Sequence, residues 1–256
     1  MAMDWLTHDR YLDSAAADAR RIAELAEGAD LGAPVPSCPE WALRDLLFHQ
    51  GMVFRWIGEI VARKATERLP FREVPDAAMP AGGEVAWLLT GADRTVATLR
   101  EAGPDVAVWG WAQGGGTRWW GRRIAHETLV HRIDAELTLG ARPEAEPALA
   151  ADNVDELLTN ALDFTARAFD KRAALSGAGD SLHLHATDTP GEWQLLRAEE
   201  GFSLDYGHAK ADAAVRGTAR EVMLWLNGRL PQGDAGPERF GEERVLELWR
   251  GSLSLG

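Results

Sequence analysis

The chain has a single cysteine, Cys38, in 256 residues. No disulfide can form within it, and nothing in it demands an oxidising compartment. It also lacks a basic excess: 27 Lys and Arg stand against 40 Asp and Glu, a formal net charge of −13. That balance excludes a general nucleic-acid binder, because phosphate backbones require basic faces. An anionic small substrate stays compatible, since a local Arg cluster or a metal ion overrides the global field. No run approaches the roughly 18 apolar residues of a membrane span, so no membrane partner is expected. The N-terminus, "MAMDWLTHDRYLD", is acidic and polar, unlike the basic and then apolar pattern of a secretory leader. Internal repeats and low-complexity tracts are missing too. What these absences leave is an acidic, globular, cytoplasmic protein, and a hydrophobic content of 46% suffices for a sizeable core.

Periodicity divides the chain near residues 141–150. Residues 1–140 read as four helices. The first, near 4–27, carries Leu6, Ala15, Ile22 and Leu25 at helix-compatible spacings. The second runs from about Trp41 to Lys64, with Leu46, His49, Val53, Trp56 and Ile60 on one face; Pro39 suits the first turn of this helix. The third covers about 83–101, and the fourth runs from near Thr117 to a stop at Gly140. Four such helices with three connections form a four-helix bundle pattern, assigned to residues 1–145. After the linker "ARPEAEPALAADN" comes a helix to about Arg172, then period-two segments: "SLHLHATD", "EWQLLRA", "FSLDYG" and "ADAAVRG". They predict three or four antiparallel strands with short turns. "TAREVMLWLNGRL" and "GEERVLELWRG" return to helical spacing. Residues 146–256 are therefore expected to form a small α+β domain with an antiparallel sheet, and the whole chain is α+β.

The stretch "RRIAHETLVHRIDAE" (122–136) resembles a zinc-protease HExxH signature with one residue too many. Its histidines, His126 and His131, are five apart, which separates them by about 140° around a regular helix. They cannot reach one ion together. Glu127 and His131, four apart, are offset by about 40° and share a face. A metal would need a further ligand, and His49, on the inward stripe of the second helix, is the best supplier, because bundle cores build metal sites from facing helices. Two imidazoles and one carboxylate leave a coordination position open. Zinc is the default ion, though iron, nickel and cobalt suit the same set. The competing reading of each residue is structural: a hydrogen-bonded core histidine at position 49, and a solvated Glu–His pair on the fourth helix.

Two stretches, "VPSCPEWALRDLLFHQG" (35–51) and "WWGRRIAHETLVHRIDAEL" (119–137), resemble the paired motifs of the mycothiol-dependent maleylpyruvate isomerase family. "LHLHATDTPGEWQLL", "GHAKADAAVRGTA" and "WLNGRLP" are similar to the second domain of that family, so the resemblance spans nearly the whole chain in order. It implies a DinB-like bundle whose metal ligands are a His on the second helix and a Glu and a His, four apart, on the fourth. Here these are His49, Glu127 and His131. His126 is then left to packing or a hydrogen bond, and Asp134, seven after Glu127, is placed to orient a ligand or a neighbouring Arg from behind.

The resemblance also implies a function. A metal beside a thiol cosubstrate, mycothiol, deprotonates the thiol near neutral pH. The thiolate then either adds to an activated double bond, giving cis–trans isomerisation, or transfers to a small electrophile. Such electrophiles often carry carboxylates, which calls for a cationic clamp. Arg229 is the first candidate, with Arg123 and Arg122 behind it. Cys38 is not needed for this chemistry and reads as a small buried residue near a helix start. The Trp-rich "WGWAQGGGTRWW" reads as core, and its glycines as a turn rather than a phosphate cradle. His183 and His185 share one strand face, and are expected on a solvated or interdomain surface with Leu182 and Leu184 inward. A non-catalytic metal- or small-molecule-binding bundle is the competing class.

Overall fold

The computed structural model describes residues 6–112, 115–165, 175–177 and 179–253. They form two compact units, one of residues 6–143 and one beginning at residue 144. Among the described residues no helix is long and apolar enough to cross a membrane. The expected helix to about Arg172 is seen as far as residue 165, and its remainder lies outside the described residues.

The first unit is built from α1 (His8–Ala26), α2 (Leu43–Ala62), α3 (Glu84–Ala102) and α4 (Gly116–Thr138). Thr7 caps α1 by accepting from Arg10 N at 3.3 Å, which satisfies an amide the helix itself leaves open. The second helix starts two residues later than Trp41. Residues 34–42 close a small extended bridge between Pro34 and Ala42, and Val35 N donates to Trp41 O at 2.9 Å. Between the two ends of the bridge the chain turns, Cys38 N donating to Val35 O at 3.1 Å and Trp41 N to Cys38 O at 2.8 Å, and Ala42 is extended, so Pro39 lies in a turn ahead of the helix rather than in its first turn. Asp45 then accepts from Ala42 N at 2.9 Å. At the far end of α4, Gly140 takes φ 71°, and Ala141 N reaches back to Glu136 O at 2.8 Å, the closure that a left-handed glycine permits.

Packing within this unit is close. A Cβ on Gly51 would meet the Trp87 ring at 2.1 Å, so α2 and α3 approach to a distance only glycine allows. Arg55 ties the same seam, donating to Gly51 O at 3.0 Å and to Trp87 O at 2.8 Å while its guanidinium lies 3.9 Å from the Trp87 ring centre. Trp56, Trp111, Trp119 and Trp120 form an edge-to-face aromatic cluster with ring separations from 4.6 to 5.5 Å, and Trp120 is fully buried. Trp119 and Trp120 are thus core residues.

Unusually for a bundle helix, α4 buries charge on several sides: Arg122, Arg132, Asp134 and Glu136 are all buried. Arg132 bridges α1 and α4, its Nε 2.8 Å from Asp18 Oδ1 and its Nη1 2.5 Å from Glu136 Oε2. Burial pushes the Asp18 carboxyl up to about 6, against the lowering effect of Arg132.

The second unit opens with α5 (Pro147–Thr165) and continues through β1 (Ser181–Ala186), β2 (Glu192–Ala198), β3 (Gly201–Tyr206), β4 (Ala213–Gly217), α6 (Ala219–Leu226), β5 (Glu238–Gly241) and α7 (Glu243–Leu253). The five strands lie in the order β3-β2-β1-β4-β5. One face is apolar, with Leu182, Leu184, Trp193, Leu195 and Val215 buried. The helices cover that face: Trp193 donates to Asp155 of α5 at 3.2 Å, and Phe202 meets Trp249 of α7 edge-on at 5.5 Å.

The domain is α+β as expected, with two differences in the sheet. A fifth strand, β5, carries "ERFG" with every residue exposed, so it shows no buried alternation for a sequence reading to detect. The other pairings are antiparallel, but β4 runs parallel to β1, Leu182 opposite Ala213 through Ala186 opposite Gly217. Residues 207–212 therefore carry the chain back across the sheet from the end of β3 to the start of β4. That return is too short for a helix, which is why the segment reads locally as a turn.

Arg132→Ala strips the half-buried Asp18 of its cation and leaves the buried Glu136 with the longer Arg21 contact, at 3.6 Å. It is expected to destabilise the protein by about 3–5 kcal/mol, read as a lower denaturant midpoint at unchanged slope.

Candidate metal centre

Three side chains from two helices meet in the first unit. His49 sits in the second turn of α2, and Glu127 and His131 lie one turn apart on α4. His49 Nε2 is 2.8 Å from Glu127 Oε1, and His131 Nε2 is 3.4 Å from the same oxygen. The two imidazole centroids are 4.7 Å apart. The donor atoms of all three residues lie within 4.8 Å of one another. His126, one residue before Glu127, points elsewhere: it is fully buried and meets Tyr11 edge-on at 5.8 Å.

The second polar atoms of Glu127 and His131 also have partners on the protein. Arg123 Nη2 donates to Glu127 Oε2 at 2.8 Å. Asp134, fully buried, accepts from His131 Nδ1 at 2.9 Å. Its other oxygen accepts from Ser37 Oγ, and Cys38 Sγ lies 3.9 Å from Asp134 Oδ2. Trp41 closes one side, its ring 4.9 Å from His49 and 5.6 Å from His131. Cys38 is half-buried and belongs to the loop before α2, not to a buried helix start; the bridge at residues 34–42 turns its thiol toward Asp134.

The electrostatics follow from these contacts. Burial pushes the Glu127 carboxyl up, but hydrogen bonds from His131 and His49 and the charge of Arg123 outweigh it and hold the group well below the ordinary carboxylate range. Burial lowers His131, and its bonds to Asp134 and Glu127 more than reverse this, raising the imidazole to about 9. With Nδ1 committed to Asp134, Nε2 is the nitrogen that faces Glu127 and His49.

The trio fits a transition-metal ion. Its donors are two imidazole nitrogens and an ionised carboxylate oxygen, the set that three-ligand sites with an open position use. Ligands about 2.1 Å from a tetrahedral ion lie about 3.4 Å apart, and the Glu127–His131 separation is 3.4 Å. The His131–Asp134 bond is the carboxylate support that fixes a ligating imidazole's tautomer.

The sequence candidates thus fall into two places. His49, Glu127, His131, Arg123 and Asp134 come together in the first unit. Arg229 follows α6 in the second, where its Nη1 donates to Asn227 O at 2.6 Å. Ser37 and Trp41 are contacts that sequence reasoning did not assign, although both lie within the quoted "VPSCPEW"; a Trp and a Ser just ahead of a His-bearing helix were the available signal.

In metal-free protein the raised His131 stabilises the fold. That contribution is complete below the ordinary histidine value of about 6.5 and is lost as pH rises through about 9. Thermal midpoints of chelated protein are expected to fall over this window, and to fall less in Asp134→Asn, which weakens the bond to His131. Equal slopes for the two proteins would contradict the assignment.

Residues 12–136 match the Mycothiol maleylpyruvate isomerase N-terminal domain, and residues 148–248 match the MDMPI C-terminal domain, the second domain of the same family. No curated protein matches the sequence. Two crystal structures share the fold: mycothiol-dependent maleylpyruvate isomerase itself, at 18% identity and TM-score 0.54, and a histidine-to-alanine variant of it, at 16% and 0.57. In each comparison 93% of this chain and 95% of the other are covered. With both domains matched in order, the chain belongs to the mycothiol-dependent maleylpyruvate isomerase family of enzymes.

Proposed function

We propose that the protein is a metal-dependent, mycothiol-using cis–trans isomerase of the maleylpyruvate type, acting in the cytoplasm on a small anionic electrophile. The observation that carries this reading is the convergence of His49 Nε2 and His131 Nε2 on one oxygen of Glu127. His49, Glu127 and His131 would hold a divalent ion, zinc being the best suited. When bound, the ion supplies an open coordination position that acidifies a thiol, turning mycothiol into the nucleophile.

The chain's own residues prepare that position. Arg123 holds Glu127 ionised and fixes its second oxygen, so Oε1 stays directed at the two histidines. Asp134 holds the proton on His131 Nδ1, which keeps Nε2 as the ligating nitrogen, and Ser37 in turn holds Asp134. Trp41 supplies an apolar wall beside both imidazoles, which limits water there and strengthens the electrostatics. Arg123 is engaged with Glu127, and for the cationic contact to a substrate carboxylate Arg229 is the proposed residue, on the strength of its place in "NGRLP". A mycothiol S-transferase would use the same ligands; the isomerase reading is preferred because both halves of the chain match an isomerase family. The complete ligand set and its supports speak against a non-catalytic module.

The test is mycothiol-dependent isomerisation of maleylpyruvate, with zinc content measured on the same samples. Glu127→Ala is expected to lose this zinc and the activity together. Asp134→Ala should weaken zinc affinity by about 10–100-fold. Cys38→Ser is expected to stay active, and Arg229→Ala to raise KM without changing zinc content. Isomerase activity that survives Glu127→Ala would refute the proposal; S-transfer to an electrophile without isomerisation would replace it with the second reading.

A further inference from the structure

The second unit holds another cluster of ligating side chains, on the sheet face opposite α5 and α7. His183 and His185 alternate on β1, and β2 sets Glu192 directly across from His185. The return segment at residues 207–212 brings His208 over the same spot. Its path is fixed by Gly207 N, which donates to Glu192 O at 3.1 Å, and by Gln194 Nε2, which donates to Gly207 O at 2.6 Å. All three imidazoles face one oxygen. His208 Nδ1 lies 3.4 Å from Glu192 Oε1, His185 Nδ1 3.5 Å and His183 Nε2 4.0 Å.

His183 is the informative member. It is 5% exposed although it sits on the face away from the helices, and its Nε2 is buried without a hydrogen-bond partner. An orphaned buried nitrogen is destabilising unless something absent from the protein alone satisfies it. The sequence puts a histidine there rather than an apolar residue, and then surrounds it with two more and a carboxylate. Burial holds the His183 imidazole below its ordinary range, which keeps it in the neutral form that can ligate.

From this geometry we infer that His183, Glu192 and His208 form a second metal site, with His185 beside the carboxylate as a further ligand or its support. The donor atoms of the first three lie within 4.8 Å of one another. Ligands of a tetrahedral ion sit about 3.4 Å apart, so the His208–Glu192 pair at 3.4 Å already fits, and His183 Nε2, 4.0 Å from the carboxylate, must close in by about 0.6 Å. Imidazole with one carboxylate selects a first-row divalent ion such as zinc, nickel or copper rather than calcium or magnesium. An ion here would pin the return segment to β1 and β2, the one crossing in the sheet that no helix supports. The inference is independent of the site in the first unit.

Zinc retained through gel filtration, after chelation and reloading of the full chain, tests it. Wild type is expected to keep two equivalents. His208→Ala removes a ligand whose side chain is 75% exposed, so the fold tolerates it; it should keep one equivalent, as should His183→Ala and, independently, Glu127→Ala. A wild type that keeps a single equivalent, lost in Glu127→Ala, would overturn the second site. So would a second equivalent that survives both His208→Ala and His183→Ala. One equivalent lost in His208→Ala but kept in Glu127→Ala would uphold this site and refute the metal centre of the first unit.

Discussion

The first unit depends on one ionised carboxylate kept where burial opposes charge. Glu127 stays charged because three partners surround it, His49, His131 and Arg123, whose combined attraction exceeds a desolvation penalty larger than any one of them offsets. Without those partners burial alone acts on the carboxyl and favours its protonated form, which is a poor ligand. Much of α4 can be read as provision for that charge. Arg123 and His131 flank Glu127 one turn on either side, and Asp134 stands behind His131.

That provision has a structural cost, met by the neighbouring elements. A helix carrying so many buried charges cannot hold its place by an apolar stripe alone. It is fastened to α1 by the Arg132 bridge to Asp18, and to the loop before α2 by the Ser37–Asp134 bond. The glycine seam between α2 and α3 then fixes α2, and with it His49, against its neighbours. Ligand geometry is therefore set by packing on several sides, as a site demands when its donors must sit within a few tenths of an ångström of their places.

How much of this was legible depends on whether the cause is local. The helices were legible because their periodicity is local, and the 40° offset of Glu127 and His131 follows from helix geometry alone. The start of the second helix, read at about Trp41, falls two residues later at Leu43, since the bridge from Pro34 to Ala42 is a pairing across residues that no local propensity reports. The strand β5 has no buried face to betray it. The parallel β4 depends on where the chain goes after Tyr206, which is a tertiary fact. For the same reason His183 and His185 looked like surface residues: the return segment that buries His183 and brings His208 to it is invisible in the alternation of β1. Within the centre itself, Arg123 was expected to contact substrate; its i,i+4 relation to Glu127 already pointed to the partner it has.

The central claim is that His49, Glu127 and His131 hold an ion with a position open to an external thiol. Cobalt(II) substitution tests it most directly, in Cys38→Ser protein so that the only thiol is the one added. Titration with mycothiol is expected to produce a thiolate-to-cobalt charge-transfer band that saturates at one thiol per chain and is missing when Glu127→Ala is added. A cobalt spectrum unchanged by mycothiol, or a band that persists without Glu127, would contradict the account.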